Sequence, residues 1–358
     1  MVNQNQYSPD YVIHPGEYIE EILEARDMKK QDFAERCGIS VKTVSQILNR
    51  KVLYSSDIAL HFERVLGVSA ELLMNMNTNY QMFESRLKDK AELEAKEDWI
   101  KQFPLRELVK KKIITDSQNN YEKTNSILDF FNISEPDSWE EYYKKRAISF
   151  RKSPSFKSSI ASTATWMRIG EKEAENIDCS RFDKDLFKKN LKVIRTYTRE
   201  KQSSFELKMK KMCSDSGVAL VFVPELKDTH ISGATEWLSA DKALIIMSMR
   251  YKSDDHFWFT FFHEAGHILL HNKKEIFIDT TDNEYSKIEL EANNFARKVL
   301  VNPGKYRILL EKNTLNKDDI LFFSRENDIA PGIIVGMLQY DKRIEYSWFN
   351  DLKKKYEI

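Results

Sequence analysis

The feature that most constrains the fold is an apolar run interrupted by two histidines and a glutamate, "FWFTFFHEAGHILLH" at residues 257–271. On an α-helix each residue turns by about 100°, so His263 and His267 lie on one face, one turn apart. Burying two imidazoles and a carboxylate in such a helix is costly unless each has a partner. We therefore expect the two rings to share a metal ion, with Glu264 acting on a water molecule. A helix whose histidines are satisfied by hydrogen bonds alone is the alternative.

A catalytic zinc site takes three protein ligands, so the two histidines leave one ligand to be found. The next helical segment, "SKIELEANNFARKVL", offers Glu289 and Glu291. Glu291 follows His267 by 24 residues, enough for the first helix to end, for a loop around Thr280–Glu284, and for an antiparallel return. The two glutamates are about 200° apart on a helix, so only one can face the metal. The apolar neighbours alone do not decide between them.

Other polar residues near this motif have less certain roles. His271 lies eight residues after His263, displaced by about 80° and about 12 Å along the axis, which favours a supporting position at the helix end over a ligand. His230, His256 and Tyr285 could stabilise an oxyanion, but no spacing selects one of them.

The segments around the motif predict a small α+β domain. A capping box at Ser203 and Glu206 predicts a helix that runs to Ser216 and ends at Gly217. Three β-rich runs follow, "VALVFVP", "ISGATEWL" and "KALIIMSM", before the histidine-bearing helix. We expect a zincin-like domain with a small antiparallel sheet packed on that helix. An apolar helix after Pro331-Gly332 is interpreted as packing.

The N-terminal part predicts a separate bundle of short helices. Their expected positions are a helix opening at Pro15, then Lys30–Cys37, Val41–Leu48, Asp57–Leu66 and a fifth beginning at Ser69. Pro at a first turn, Gly38 and Gly67 as stop signals, and Ser40 as an N-cap support these boundaries. Five short helices in this space indicate a λ-repressor-like five-helix bundle.

The second and third helices are joined by a three-residue turn, Gly38-Ile39-Ser40, the spacing of a DNA-binding helix-turn-helix. The exposed side of the third helix and the residues just after it have side chains suited to base edges and phosphates. These are Lys42, Thr43, Ser45, Gln46, Asn49, Arg50 and Lys51. Gln and Asn pair bidentately with adenine, Thr meets the thymine methyl, and Lys and Arg neutralise phosphates.

The charge of this segment does not by itself indicate DNA binding. Residues 1–80 contain eight Lys and Arg against eleven Asp and Glu, a net charge of −3, and the whole chain has 56 of each sign. A helical domain for dimerisation or partner docking is the alternative. The placement of charge favours DNA binding, because Lys42, Arg50 and Lys51 cluster at the third helix while four glutamates lie on the first.

Two stretches resemble known families. The run "HPGEYIEEILEARDMKKQDFAERCGISVKTVSQILNRK" resembles XRE-type DNA-binding domains of HigA-type antidotes, over about a fifth of the chain. Residues 185–340, with "HEAGH" and "ELEANNFARKVLVNP", resemble the ImmA/IrrE metallopeptidases. The second resemblance implies a Zn²⁺ held by His263, His267 and Glu291, with Glu264 as general base.

These patterns predict a multidomain, mainly α-helical protein. We expect a helix-turn-helix domain at 10–78, a helical middle region at 79–184 that serves as linker, dimerisation arm or sensor, and a metallopeptidase domain at 185–345. Three scattered cysteines, a polar N-terminus and the lack of a long apolar span predict a cytoplasmic protein without membrane contact.

The resemblances imply a transcriptional regulator with operator double-stranded DNA as one partner, bound as a homodimer. The ImmA/IrrE resemblance implies zinc-dependent cleavage of a repressor-type protein, or of a toxin in an addiction module. A HigA-like repressor or antitoxin, in which the peptidase fold serves as a sensor or binding platform, is the second hypothesis. A scaffold with structural zinc is the third, disfavoured because three ligands and a spare Glu264 leave a coordination position open.

Overall fold

The computed structural model describes residues 11–150, 159–227, 229–273, 276–280, 287–312 and 314–357, without the side chains of 144–150 and 278–280. The contacts within the chain define two units. The first extends to Lys96 and takes in Asn119–Tyr121, and the second comprises Glu97–Gln118 and Glu122–Ile358.

In its described part the first unit contains five helices around one apolar core, which confirms the predicted bundle. They are α1 Pro15–Ala25, α2 Lys30–Cys37, α3 Val41–Leu48, α4 Ser56–Leu66 and α5 Ala70–Glu94. Ser40 caps α3, because its hydroxyl accepts the backbone N–H of Thr43 at 3.0 Å. Gly38 ends α2 with a φ of 66°, a left-handed conformation that glycine adopts at little steric cost. The core includes Ile19, Phe33, Val44, Ile47, Phe62, Leu66 and Leu73.

The second unit surrounds a small sheet with helices. Before the sheet lie α6 Glu97–Ile100, α7 Leu105–Lys110, α8 Asn120–Phe131, α9 Pro136–Phe150, α10 Ile160–Glu175, α11 Lys184–Thr196, a 3-10 helix at Tyr197–Arg199, and α12 Gln202–Asp215. The strands are β1 Val218–Phe222, β2 Ile231–Ser239, β3 Lys242–Met247 and β4 Phe277–Thr280. The other helices are α13 Asp254–Leu270, α14 Lys287–Leu300, α15 Pro303–Leu310, α16 Lys317–Glu326, α17 Pro331–Tyr340 and a 3-10 helix at Asn350–Leu352.

The sheet is mixed, so the expectation of an antiparallel sheet is wrong. Its order is β1-β3-β2-β4, with β1 parallel to β3 and with β2 antiparallel to both neighbours. β2 and β3 form a hairpin in which Ala234 lies opposite Ile246. β1 pairs with the other edge of β3, Leu220 opposite Ile245, and therefore runs in the same direction as β3. Pairing β1 with β3 instead of β2 makes the sheet mixed.

A fourth strand, β4, was not expected from the sequence. It pairs antiparallel with β2, with Ile278 opposite Ala234. The loop predicted around Thr280–Glu284 therefore begins only after this strand, and residues 281–286 lie outside the described part of the chain.

The helix before the sheet starts without the predicted capping box. α12 begins at Gln202, and its N-cap Lys201 makes no capping bond through its side chain. Ser203 is already inside the first turn, while Ser204 donates its hydroxyl to Glu200 Oε2 at 2.8 Å. The predicted C-terminal end is confirmed: Gly217 has a φ of 84°, and a Cβ there would lie 2.3 Å from Phe182 Cα.

One face of the sheet is covered by α10, which lies in the middle region of the chain. Trp166 of this helix is fully buried and donates its indole N–H to the carbonyl of Val223 at 2.9 Å. A Cβ on Gly170 would lie 2.3 Å from Ile246 Cδ1, so the helix backbone approaches β3 closely. α10 thus belongs to the same unit as the sheet.

α13 is the central helix of the second unit. It packs against the sheet on one side and against α14 and α17 on the others. Trp258, Phe261 and Phe262 are fully buried in the shared core, so the apolar positions of this helix are used for packing on several sides.

The last residues of the described chain close on the start of α13. Asp254 donates its backbone N–H to the carbonyl of Lys354 at 3.0 Å, and Tyr356 donates to Lys252 at 2.9 Å. Trp258 also donates its indole N–H to the hydroxyl of Tyr356 at 3.0 Å. Lys353 forms an ion pair with Asp255 at 2.7 Å. Together these contacts attach the C-terminal segment to the helix that bears the histidines.

The buried carboxyl of Asp254 should make the folding stability of the chain depend on pH in an unusual way. Burial raises the pKa of its fully buried carboxyl to about 7 from the ordinary 3.8, and the neighbouring Asp255 adds to the rise. As pH rises from about 4 to 7, the unfolded chain has released this proton while the folded chain retains it, so folding stability falls. The contribution is at most roughly 4 kcal/mol, at 1.36 kcal/mol per pKa unit.

We expect Asp254→Asn to remove this part of the pH dependence. The measurement is denaturant unfolding of both proteins at pH 5 and pH 8, with EDTA throughout so that metal release does not contribute. The two proteins share all other titrating groups. The difference between their changes in unfolding free energy from pH 5 to pH 8 therefore isolates the contribution of residue 254. Equal changes in unfolding free energy between pH 5 and pH 8 in the two proteins would contradict the raised pKa of Asp254.

Two remaining observations concern the chain as a whole. Among the described residues no helix has both the length and the apolar character needed to cross a bilayer. Cys37 and Cys213 are buried, Cys179 is half-buried, and all three are free thiols.

Candidate metal centre

The two histidines of α13 meet at their Nε2 atoms. His263 and His267 are each 2% exposed, and their Nε2 atoms lie 2.9 Å apart. The spacing of four residues on one helix face produces this approach, as predicted. Both rings are fixed by the packing of α13 in the core, so the pair is presented by a rigid element.

Glu289 of α14 supplies the third group. Its Oε2 lies 3.1 Å from His263 Nε2 and 3.5 Å from His267 Nε2. His263, His267 and Glu289 offer ligand atoms that all lie within 4.8 Å of one another. These separations suit three ligands around one ion, because ligands about 2 Å from zinc in a tetrahedron are roughly 3.3 Å apart.

The expectation that Glu291 completes the set is not met by the geometry. Its side chain is about half exposed, and its Oε2 lies 3.3 Å from His271 Nε2, on the outer side of the cluster. The reason is the close packing of α14 on α13. Ala292 presents its Cα only 3.3 Å from the position of a Cβ on Gly266, and Glu289, three residues before Ala292, shares that contact face.

A signal for Glu289 was present in the sequence. Glu289, Ala292, Ala296 and Leu300 follow one another at helical spacing and are all buried. The competing series from Glu291 passes through Phe295 and Val299, which are only partly buried. Small residues mark the face along which two helices approach most closely, so the alanines indicate the Glu289 face.

The outer nitrogens of both rings are held by neighbouring side chains. His263 Nδ1 lies 2.8 Å from Asn293 Oδ1, and an amide oxygen only accepts, so Nδ1 carries the proton. His267 Nδ1 lies 2.9 Å from His271 Nδ1. His271 Nε2 in turn faces the Glu291 carboxylate at 3.3 Å, so His271 donates to Glu291 through Nε2 and accepts from His267 through Nδ1.

With both Nδ1 atoms protonated, both Nε2 atoms carry lone pairs that point at the Glu289 carboxylate. Three electron-rich atoms so close together repel one another unless a cation lies among them. The donor set of two neutral imidazoles and one carboxylate is the set that zinc takes in gluzincin-type catalytic sites. The residues present therefore fit a divalent ion.

The pKa of His267 agrees with this description. Burial lowers the pKa of His267 to about 4, so its ring is neutral at physiological pH. The neutral imidazole is the form of His267 that metal binding requires.

Glu264 lies beside the cluster and is held by β2. It is fully buried, and Thr235 donates its hydroxyl to Glu264 Oε2 at 2.6 Å. A Cβ on Gly233 would lie 2.7 Å from Glu264 Oε1, so only glycine leaves room for this carboxylate. The segment "SGATEW" was expected to form the sheet wall beside the cleft, but the contacts of Thr235 and Gly233 with Glu264 were not expected.

Phe277 is a further contact that the sequence did not indicate. Its ring stacks on His267 with a centroid distance of 4.2 Å and an interplanar angle of 16°. Phe277 begins β4, so the unexpected fourth strand covers one face of the His267 ring.

Two of the three candidates for oxyanion stabilisation, His230 and His256, lie in the described part of the chain. His230 lies beside Glu225, with Nδ1 3.7 Å from a carboxylate oxygen. His256 stacks on Tyr251 at a centroid distance of 4.1 Å. Tyr285 lies outside the described residues, so the role is unassigned.

In the first unit, the residues expected to contact DNA follow α3 and its C-terminal end. Lys42, Asn49, Arg50 and Lys51 are exposed, whereas Thr43, Ser45 and Gln46 are half-buried. Asn49 donates its amide to Ser45 Oγ at 3.1 Å, and Arg50 pairs with Glu17 at 2.8 Å. The pair is solvent-exposed and therefore weak, so Arg50 can exchange Glu17 for a phosphate.

Two family models each match part of one unit. Residues 213–320 match Peptidase_M78, described as an IrrE N-terminal-like domain, and residues 19–73 match the HTH_3 helix-turn-helix family. No curated protein matches the sequence.

Two solved structures are similar to part of the chain. One is described as an antidote protein of a plasmid maintenance system from Nostoc punctiforme, with 31% identity, a TM-score of 0.22, and coverage of 23% of this chain and 89% of that one. The other is described as an addiction module antidote protein of a HigA family from Coxiella burnetii, with 27% identity, a TM-score of 0.22, and coverage of 23% and 91%. The family matches confirm the resemblance inferred from sequence: the chain joins an XRE-type helix-turn-helix domain to an IrrE-like Peptidase_M78 domain.

Proposed function

We propose that the chain is a DNA-binding transcriptional regulator whose second unit is a zinc-dependent endopeptidase. The observation that carries the proposal is the convergence of His263, His267 and Glu289 beside the buried Glu264. This cluster lies within the segment that matches a peptidase family.

Three protein ligands favour a catalytic over a structural zinc. Structural sites are closed by four protein ligands, whereas catalytic sites keep a position for water or substrate. Zn²⁺ bound by these residues would supply a Lewis acid and lower the pKa of water towards neutrality. Asn293 and His271 would hold the two imidazole rings in the tautomer that leaves Nε2 for the ion.

Glu264 is the residue we propose to move the proton. Its carboxylate accepts a proton from the attacking water and delivers it to the leaving amine as the C–N bond breaks. The hydroxyl of Thr235 fixes one carboxylate oxygen at 2.6 Å. Thr235 is therefore a positioning residue for this base.

The proposed substrate is a repressor-type regulatory protein, with a toxin as the other candidate. The support is the presence of a helix-turn-helix domain in the same chain and the ImmA/IrrE resemblance of the second unit. The test is to incubate the zinc-loaded full chain with proteins encoded beside its gene and to analyse the products by mass spectrometry. We expect a single cut in one of these proteins that EDTA prevents and Zn²⁺ restores.

For the first unit we propose binding of operator double-stranded DNA through α3, as a homodimer on paired half-sites. The support is the family match over residues 19–73 and the exposure of Lys42, Asn49, Arg50 and Lys51. We propose that Gln46 contacts base edges and that Arg50 and Lys51 contact phosphates.

Two variants of α3 should separate base reading from phosphate contact. Gln46→Ala together with Asn49→Ala should reduce the preference for operator over unrelated DNA, because a bidentate base contact contributes about 1–3 kcal/mol of discrimination. Arg50→Ala should weaken binding to all sequences and flatten the salt dependence by about one phosphate contact. Fluorescence anisotropy at several salt concentrations measures both.

Arg64→Ala is the matched control, because this exposed arginine lies on α4, away from the recognition helix. Equal binding by all the variants would exclude α3 as the recognition helix.

A further inference from the structure

A cavity of about 270 Å³ lies one helical turn from the metal centre. It is enclosed by the N-terminal half of α13, by α17 and by the segment after it, with Arg297 of α14 at one side. Its apolar lining comes from Phe259, Ile333, Met337 and Tyr340. All these residues belong to the second unit.

Two helices carry residues of both the cavity and the metal centre. On α13, Phe259 precedes His263 by four residues, so the two side chains share one face, and their ring centroids are 6.3 Å apart. On α14, Glu289 contacts the histidine pair, Asn293 contacts His263, and Arg297 lines the cavity. These three are spaced by four residues, so one face of α14 carries residues of both the cluster and the cavity.

The charged groups in the lining are already neutralised by one another. Arg297 donates two hydrogen bonds to Asp341, at 3.0 and 2.6 Å. Lys353 contacts both Asp255, at 2.7 Å, and Gln339 Oε1, at 2.7 Å. A charged ligand would have to displace these partners, whereas an uncharged apolar group would not.

The size of the cavity matches one large side chain. Cavities of about 150 Å³ already hold a benzene ring, and sites for whole small ligands begin near 300 Å³. One to two helical turns, about 6 to 11 Å, correspond to two or three residues of extended polypeptide. A peptide whose cleaved bond lies at the cluster and which runs along these helices would therefore bring a side chain close to that bond into this cavity.

We propose that this cavity is a specificity subsite, which accepts one large uncharged apolar side chain, aromatic or leucine-like, of the cleaved polypeptide. The inference rests on the proposed peptidase function and extends it to the class of residue that the substrate presents two or three positions from the cleaved bond.

The first experiment tests the cavity without requiring activity. The zinc-loaded full chain, labelled with ¹³C in its methionine methyl groups, is titrated with N-acetyl-phenylalanine amide and, separately, with N-acetyl-glutamine amide. The Met337 signal is assigned with Met337→Leu. We expect a saturable shift of Met337 with the aromatic probe only, with a dissociation constant on the order of 1 mM for so small a ligand.

Two variants keep the test decisive. Ile333→Phe adds volume inside the cavity and should weaken aromatic binding at least about tenfold. Ile333 is almost fully buried, so folding is checked by circular dichroism. Tyr340→Ala alters a side chain that is half exposed at the mouth, folds without such risk and should weaken binding severalfold. Tyr142→Ala removes a similarly exposed tyrosine on α9 and should change nothing.

The second experiment links the cavity to cleavage. In a peptide mixture, the wild-type chain should favour a large apolar residue at one position near the cut, and Ile333→Phe should shift that preference to smaller residues. If the aromatic probe does not shift the Met337 signal in a folded, zinc-loaded chain, the proposed subsite is overturned. That result does not bear on the proposed peptidase function. Probe binding with unchanged cleavage preference in Ile333→Phe would also overturn it. If the chain cleaves nothing, the peptidase proposal fails and the subsite fails with it, even where the probe binds.

Discussion

Glu289→Ala should abolish tight zinc binding, whereas Glu291→Ala should retain it. Glu289 Oε2 lies 3.1 and 3.5 Å from the two histidine nitrogens, so its removal leaves two ligands and an open site. Glu291 contacts only His271 among the histidines. Zinc affinity, measured by competition with a chromogenic chelator, should fall in Glu289→Ala by more than the roughly 10- to 100-fold that changes outside the ligand shell cause.

The two variants form a matched pair, because they remove the same side chain from the same helix two positions apart. Glu291→Ala should lower zinc affinity only modestly, by freeing His271 and loosening the His267 ring. Full retention of zinc by Glu289→Ala, together with loss in Glu291→Ala, would reverse the assignment and restore the ligand set implied by the family resemblance.

Glu264→Gln should abolish cleavage and leave zinc bound. The glutamine has nearly the same shape, and its amide can still meet the Thr235 hydroxyl, but it cannot accept a proton from water. General acid–base catalysis contributes about 10²- to 10⁴-fold to rates, so we expect a loss of at least roughly 10²-fold in the rate of partner cleavage. Rates are followed by gel electrophoresis of the partner, and bound zinc by elemental analysis.

Glu326→Gln provides the control, because it makes the same chemical change at an exposed position on α16 of the same unit. Undiminished cleavage by Glu264→Gln would remove the proposed base. Normal gene regulation in cells by a Glu264→Gln protein that has lost cleavage would favour the HigA-like hypothesis, in which the peptidase fold is a sensor or binding platform.

The parts of the fold set by local sequence were predictable. The helix boundaries of the first unit follow from Ser40, Gly38 and Gly67, whose capping roles depend only on nearby backbone. The pairing of His263 with His267 likewise follows from spacing on one helix. Both predictions needed no knowledge of how distant segments pack.

The third ligand could not be settled in that way. Glu289 and Glu291 lie on nearly opposite faces of α14, so the choice depends on how α14 rotates against α13. That rotation is set by the approach of Ala292 to Gly266, a contact between segments 26 residues apart. The family resemblance implies Glu291, whereas the geometry brings Glu289 to the two histidines.

The sheet was mispredicted for a related reason. β1 pairs with β3 instead of β2 and also packs against α10 and α12, so its place in the sheet depends on contacts with distant segments. β4 is only four residues long and lacks a strong pattern of its own, so its pairing with β2 is a tertiary effect.

The attachment of the C-terminal segment to the start of α13 affects how a peptidase fragment can be produced. Trimming after residue 345, the predicted end of the metallopeptidase domain, would delete the hydroxyl that Trp258 donates to and the cation that faces Asp255. A buried indole N–H and a carboxylate, both within three helical turns of the histidines, would then lose these partners. Fragments for crystallisation or assay should therefore extend through Glu357, and any affinity tag is better placed at the opposite terminus.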